Sequence, residues 1–300
     1  MTESLEGFKG YLQTHQYSRK TIEGYARVVF ILSEWAKQEN MTVEQLRYTD
    51  LLAYVKYRQG KGAKQVTVNR YLLSIRKYFN YLIEKGIVQD NPARYLKLLG
   101  EQRRKLHDTF TPLELESIYH KFCNKDFSSK RYHNLKTKHG QEHLQNKVMV
   151  GLLVYQGVRS HELIKLRPED IKLRQGQVEI PGGTNGERRE LKLEACQIMD
   201  MHQYVTKQKE AGHEKLFTGS KGEKLYNVLH KLAKQLSTVE PRIKDLKQIR
   251  ASVIVKWLKN YNLRQVQYLA GHKWISSTEE YLHSETEGLQ EEINKFHPLG

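Results

Sequence analysis

Two arginines, a lysine, a histidine and a tyrosine stand at separated points of this 300-residue chain, each in a short string. Arg159 lies in Gly157-Val158-Arg159-Ser160-His161-Glu162-Leu163, and Lys247 and Arg250 bound Lys247-Gln248-Ile249-Arg250. His272 follows Gly271, and Tyr281 comes nine positions after the histidine. Arginine forks grip a phosphodiester bidentately and keep their charge. A phenolic oxygen can attack phosphorus and hold it as a covalent ester. Together these groups can run phosphoryl transfer without a metal, the chemistry of cutting and rejoining DNA. Each string alone says little. Arg-x-x-Glu pairs decorate ordinary helices, surface Lys-x-x-Arg pairs are usually solvated, and Tyr281 is one of 18 tyrosines. Glu162, three residues past Arg159, could brace its guanidinium. Lys247, three before Arg250 on a helix, could face the same phosphate.

The elements that must carry these residues are mostly helical. Ser18 can cap a helix bearing Ile22, Tyr25, Val29, Leu32 and Trp35, spaced three and four apart. Val68, Leu72, Ile75, Phe79 and Leu82 repeat that period up to Gly86, with Asn91-Pro92 beyond. Gly100-Glu101-Gln102-Arg103-Arg104-Lys105 breaks the pattern and suits a linker. Thr111, Pro112 and Glu114 form a capping box that opens a second domain. Residues 123–147 are polar and lysine-rich and read as loop or exposed helix ends. An apolar helix over about 147–155 then delivers Arg159. Val178 and Ile180, then Gly182-Gly183-Thr184-Asn185-Gly186, then Leu191 and Leu193 mark a β-hairpin. Ile249, Val253, Trp257 and Leu258 restore the helical period, followed by a turn at Asn260–Asn262. Gly271 ends a helix bearing Leu263, Val266 and Leu269, and Ser276-Ser277-Thr278 caps the next. The expected class is mainly α with a small β-hairpin in the C-terminal domain. The expected bounds are a helical domain over 1–98, a linker over 99–108 and a second domain over 109–300.

Composition names the partner class. A net charge of +16 and an isoelectric point near 9.6 call for an anionic partner. No stretch approaches the roughly 18 apolar residues of a spanning helix, and the first six residues carry neither a basic nor an apolar signal region. Cytoplasmic, nucleoid-associated placement is expected. The two cysteines, Cys123 and Cys196, are read as buried free thiols, with no disulfide framework or metal site. From Leu51 to Ile83 there is no acidic residue, although Lys56, Arg58, Lys61, Lys64, Arg70, Arg76 and Lys77 fall there. Such a run is usually a solvated face; the complete lack of carboxylates favours a phosphate-contacting surface.

With these strings in hand, the chain resembles the tyrosine recombinases, the phage-integrase and Xer class, from about residue 5 to 283. The resemblance rests on the Arg159, Lys247–Arg250, Leu269-Ala270-Gly271-His272 and Tyr281 strings, and on Thr67-Val68-Asn69-Arg70 and Asn91-Pro92 in the helical part. It implies a helical core-binding domain and a catalytic domain closing as a two-domain, C-shaped clamp on duplex DNA. Lys56, Arg58, Lys61, Lys64, Thr67, Arg70, Arg103 and Arg104 would contact that DNA. Arg159 and Arg250 would hold the scissile phosphate, His272 would hydrogen-bond it and steer protons, and Tyr281 would form a 3′-phosphotyrosine. No cofactor or metal is implied. Integration, inversion and dimer resolution all stay open as outcomes. The other readings are a type IB topoisomerase-like relaxing enzyme and a DNA-binding relative with impaired catalysis.

The resemblance also exposes two departures. Lys247 fills a position that is often histidine. Family members usually carry a lysine in the hairpin turn, as general acid for the leaving 5′-oxygen, and Thr184 stands where it is expected. Arg188, Arg189 and Lys192 are near, but arginine is a poor proton donor, leaving Lys192 or Lys247 as possible acids. The chain opens directly on the core-binding helices, so a simple recombinase acting on short inverted repeats is expected. It would be a monomer when free and a homotetramer on synapsed DNA. Leu289, Ile293 and Phe296 share one face of a C-terminal helix. That helix either packs on its own domain or, as the resemblance implies, docks on a neighbouring protomer.

Overall fold

A computed structural model describes residues 2–98, 108–125, 138–183, 186–219 and 223–282. Two compact units divide the chain, Met1–Arg104 and Lys105–Gly300. The linker core with Arg103 and Arg104, the turn residues Thr184 and Asn185, and the C-terminal stripe of Leu289, Ile293 and Phe296 lie outside the described residues.

In the first unit four α-helices enclose one core: α1 (Thr2–Thr14), α2 (Arg19–Gln38), α3 (Tyr48–Gly60) and α4 (Gln65–Glu84). Ser18 caps α2 by accepting from the Thr21 N–H, satisfying one of the orphan donors of the first turn. The α4 residues at the expected spacing, Val68, Leu72, Ile75, Phe79 and Leu82, are all buried against α1 and α2, among Phe8, Leu12, Leu32 and Trp35. At about 1.5–3 kcal/mol for each buried side chain, this stripe is what fixes α4. Truncating Phe79 to alanine would cost about 3–5 kcal/mol. After α4, Asn91 ties the chain back by donating to Arg76 O and Asn80 Oδ1 and accepting from Ala93 N.

The second unit is again helical around a small sheet. Thr111 caps α5 (Pro112–Asn124) through the expected reciprocal box with Glu114. The helix α6 runs Lys138–Gln156, starting about nine residues before the apolar segment that marked it in the sequence. Its polar first half is accommodated rather than exposed throughout: Gln145 is buried and accepts from the Tyr204 hydroxyl at 2.7 Å. Then come α7 (Ser160–Leu163), strands β1 (Ile171–Lys172), β2 (Gln177–Ile180) and β3 (Arg189–Lys192), and α8 (Ala195–Glu210). The sheet is antiparallel in the order β1-β2-β3, with Val178 opposite Leu191 and Ile180 opposite Arg189. Helices α9 (Leu225–Val239), α10 (Leu246–Asn260) and α11 (Leu263–Ala270) follow, and 276–282 is helical. The cysteines depart from expectation. Cys123 is half-buried and burial pushes its thiol up to about 11, whereas Cys196 is exposed in the first turn of α8, on its solvent side.

Candidate active site

Three connections bring the separated strings of the second unit together. The chain leaves α6 through Gly157, whose φ of +55° turns it sharply; a Cβ there would stand 3.1 Å from Val253 of α10. That turn sets Arg159 at the start of α7, where Glu162 Oε2 accepts from the Arg159 N–H at 2.8 Å. At the other end, α11 stops at Gly271 with φ +59°, the left-handed conformation that glycine adopts at no steric cost. The hairpin then closes onto this helix end. Gly186 bridges His272, and Glu187 N donates to Gly271 O at 3.3 Å.

Glu162 is the hub. It is buried, and its two oxygens accept from Arg189 Nη1 and Nη2 at 3.0 Å each, while Oε1 also accepts from Arg159 Nη1 at 2.8 Å. Burial would raise its pKa, but the Arg189 hydrogen bonds and charge outweigh that and hold it down at about 2. Arg189 is itself completely buried and donates through Nε to Leu269 O at 2.8 Å. It was noted in the sequence only as a neighbour of the hairpin. Its strand phase was the available signal: Arg189 and Leu191 both point inward, Glu190 and Lys192 outward.

Arg250 comes in from α10, 6% exposed, donating to Gly157 O and, at 2.6 Å, to Ala270 O. Burial first, then Arg159, pushes it down to about 9, so it remains charged at neutral pH. Its Nη2 also lies 3.3 Å from His272 Nε2, and His272 Nδ1 lies 2.9 Å from Thr278 Oγ1. An arginine N–H can only donate, so Nε2 accepts and the ring proton sits on Nδ1, donated to Thr278. The ring is neutral: burial, then Arg250 and Arg159, takes His272 down to about 3. Thr278, expected only as a helix cap, is thus fully buried beneath the histidine.

Tyr281 completes the cluster. Its ring stacks on His272 with centroids 5.9 Å apart and planes within 16°. Arg159, His272, Lys273, Trp274 and Tyr281 line a cleft of about 280 Å³. Arg159 and Lys273 bring positive charge to the lining and Glu280 negative, and behind it Arg189 and Arg250 share the single carboxylate of Glu162, an excess of positive charge that an entering anion would neutralise. Arg159 is the most open of the three arginines, with 19% of its side chain exposed.

The structure therefore brings Arg159, Glu162, Arg250, His272 and Tyr281 together. Lys247 is exposed one helical turn before Arg250. Lys192 is not brought in: it faces away from Arg189 on β3 and pairs with Gln177 at the hairpin end remote from the turn. In the first unit Lys56, Lys61, Lys64 and Arg70 are exposed on α3, the following loop and α4, and Thr67 is half-buried. Arg58 stacks over the Tyr71 ring at 4.9 Å and donates to its hydroxyl. Arg76 belongs to the scaffold instead, donating to Ala93 O and Leu96 O.

Comparison with known proteins now adds to the geometry. The model of the phage integrase family matches residues 121–287, and that of the phage integrase N-terminal SAM-like domain matches 5–86. The tyrosine recombinase XerD of Oceanobacillus iheyensis is 24% identical, covering 98% of this chain and 98% of its own. The XerD of Proteus mirabilis is 27% identical over 94% of this chain and 88% of its own. Among solved structures, the XerH site-specific recombinase in a post-cleavage complex with palindromic difH substrate is similar with TM-score 0.72 and 18% identity, covering 91% of this chain and 79% of that one. A lambda integrase dimer bound to a COC′ core site gives TM-score 0.62 at 16% identity, with 94% of each chain covered.

Proposed function

This chain belongs to the phage integrase family, and from that membership and the site geometry we propose that it is a site-specific DNA recombinase working through a 3′-phosphotyrosine. The observation that carries the reading is the Arg159–Glu162–Arg250–His272 cluster with Tyr281 stacked on the histidine at the mouth of a cationic cleft. Arg159 and Arg250 grip the non-bridging oxygens of the scissile phosphate. Tyr281 Oη attacks phosphorus, the bond from phosphorus to the 5′-oxygen breaks, and the phenolic proton passes to His272 Nε2 as Arg250 turns its Nη2 from that nitrogen to the phosphate. One ester replaces another of similar energy, so the step is reversible and rejoining needs no external energy source. Charge placed in advance against the developing oxyanion is usually the largest single contribution to such catalysis. Glu162 and Arg189 act at one remove, by fixing Arg159.

The basic face of the first unit supplies affinity through the DNA backbone, as the DNA complexes of XerH and lambda integrase suggest. The partner is duplex DNA carrying inverted repeats, taken by a protein that is monomeric when free and tetrameric on two synapsed sites. It acts in the cytoplasm, at the nucleoid. Duplexes selected by binding from a randomised pool, rebuilt with a nick beside the cleavage position, trap the covalent intermediate. Wild type should accumulate adduct; Tyr281→Phe should accumulate none while binding within a few-fold of wild type. Adduct formation by the phenylalanine variant would remove Tyr281 as nucleophile.

A further inference from the structure

The leaving 5′-oxygen needs a proton, because an alkoxide is a very poor leaving group at neutral pH, and neither the arginines nor the histidine of the cluster supplies one. Arg159 and Arg250 stay charged, and His272 is neutral with its one proton held by Thr278. Lys192 faces the wrong side of β3. The hairpin turn, however, has a lysine beside it from another element. Lys165 lies just past α7, six residues after Arg159, its backbone N–H donating to Glu162 O. A Cβ built on Gly183 would stand 3.1 Å from Lys165 Nζ, so the ammonium fills the space in which a side chain at position 183 would begin. Directly across the turn, Gly183 and Gly186 exchange backbone hydrogen bonds of 2.7 and 3.2 Å, and a Cβ on Gly186 would stand 3.0 Å from Arg159 Nη1. Side chains at such directly opposed positions project from the same face, so Lys165 beside Gly183 and Arg159 beside Gly186 flank one face of the turn. Lys165 is exposed, and among the described residues no carboxylate forms an ion pair with it.

We propose that Lys165 is the proton donor to the leaving 5′-oxygen, reaching the scissile phosphate past Gly183. The proposal rests on the recombinase reading above. As the bond from phosphorus to the 5′-oxygen breaks, that oxygen takes a proton from the Lys165 ammonium. In rejoining, the neutral amine takes the proton back as the 5′-hydroxyl attacks phosphorus and the tyrosine leaves. Gly183, lacking a side chain, leaves room beside the turn for the Lys165 ammonium.

The test measures covalent-adduct rates on the nicked selected duplex and on its counterpart with sulfur in the 5′-bridging position, whose thiolate leaves without a proton. Lys165→Ala should slow adduct formation on the ordinary phosphodiester by about 10²-fold or more, and the sulfur substrate should bring it within a few-fold of wild type. Lys165→Arg, which keeps the charge but cannot give up a proton, should be as slow as alanine on the phosphodiester and equally rescued. Adding Gly183→Lys to Lys165→Ala, a side chain that begins where the Lys165 ammonium sits, should restore part of the phosphodiester rate. Lys165→Ala at the wild-type rate, a loss that sulfur does not rescue, or rescue of Lys192→Ala or Lys247→Ala instead would each overturn the assignment. Wild type that forms adduct on neither substrate would bring down the recombinase reading itself, and Lys165 with it.

Discussion

The two units use arginine and lysine in opposite ways. In the first, Lys56, Lys61, Lys64 and Arg70 stand in solvent, with Arg58 stacked on Tyr71 and Arg76 held by Ala93 O and Leu96 O as its fixed cations. In the second, Arg189 and Arg250 are almost wholly out of solvent, and among the described residues their hydrogen bonds go to carbonyls, a carboxylate and the histidine. Exposed cations are screened, mobile and nearly interchangeable, and each adds a small increment to attraction for a polyanion. Buried cations have been desolvated, which is costly unless each N–H finds an acceptor. Their number and position are therefore fixed by the fold. On the proposed function, one unit would set how tightly DNA is held and the other where a phosphate can go.

The strongest way to break this contrast is to remove a buried cation. Arg189→Met strips Glu162 of its bidentate partner and should destabilise the protein by about 3–5 kcal/mol, read from urea unfolding. Lys64→Ala should stay within about 0.5 kcal/mol. Equal effects would collapse the distinction. Next in size, Arg159→Ala and Arg250→Ala should each slow adduct formation by roughly 10²–10³-fold, about 2.7–4 kcal/mol, with affinity for the duplex within a few-fold of wild type. An arginine whose loss lowered affinity and left cleavage intact would belong with the first unit's lysines.

Acid should act on the second unit in two windows. His272 is held near 3 against an ordinary 6.5, so unfolding takes up a proton and stability falls as pH drops from 6.5 toward 3. Glu162 is held near 2 against 4.5, so its contribution, roughly 3 kcal/mol from that shift, is intact above pH 4.5 and fades from there toward pH 2. His272→Gln should flatten the urea midpoint between pH 6.5 and 4.5 while leaving the steeper loss below. An unchanged profile would mean that the histidine is not the group titrating. The smallest individual effects belong to the exposed cations. If about ten phosphates are engaged, log affinity should fall against log salt with a slope near −9, and each of Lys56, Lys61, Lys64 and Arg70 changed to alanine should lower that slope by about 0.9. A wild-type slope shallower than about −3 would show that the +16 charge serves another purpose.

What could be read from the chain followed from local rules. Ser18 and Thr111 cap where their side-chain oxygens predict, the Val68–Leu82 stripe is buried as its period demands, and the hairpin bends at its glycines. Arg159, Arg250, His272 and Tyr281 were legible as a set because their strings carry a resemblance, not because any one spacing demands catalysis. Arg189 needed one more step, noticing that a charged residue in phase with Leu191 must be buried against a carboxylate. The start of α6 was hidden because Gln145 reads as surface until Tyr204 is found beside it. Thr278 looked like a cap, since nothing local says that an imidazole six residues earlier folds back upon it. Lys165 had no local signal at all; its nearness to Gly183 exists only once α7 and the hairpin are packed.

Among the described residues, half of the guanidinium hydrogen bonds of the three arginines go to peptide oxygens: Gly157 and Ala270 for Arg250, Leu269 for Arg189, Gly271 for Arg159. A carbonyl is present whatever side chain its residue carries. Lineages can therefore exchange the residues at positions such as 269 and 270 without losing a single grip on the guanidinium groups, provided the turn keeps its course. Where the side chain does matter is Gly271, because a Cβ there would run into the Arg189 guanidinium. The grip on the guanidinium groups therefore constrains the course of the backbone more than the identity of the neighbouring side chains, except at Gly271 and Gly157, both at positive φ, where a Cβ would not fit.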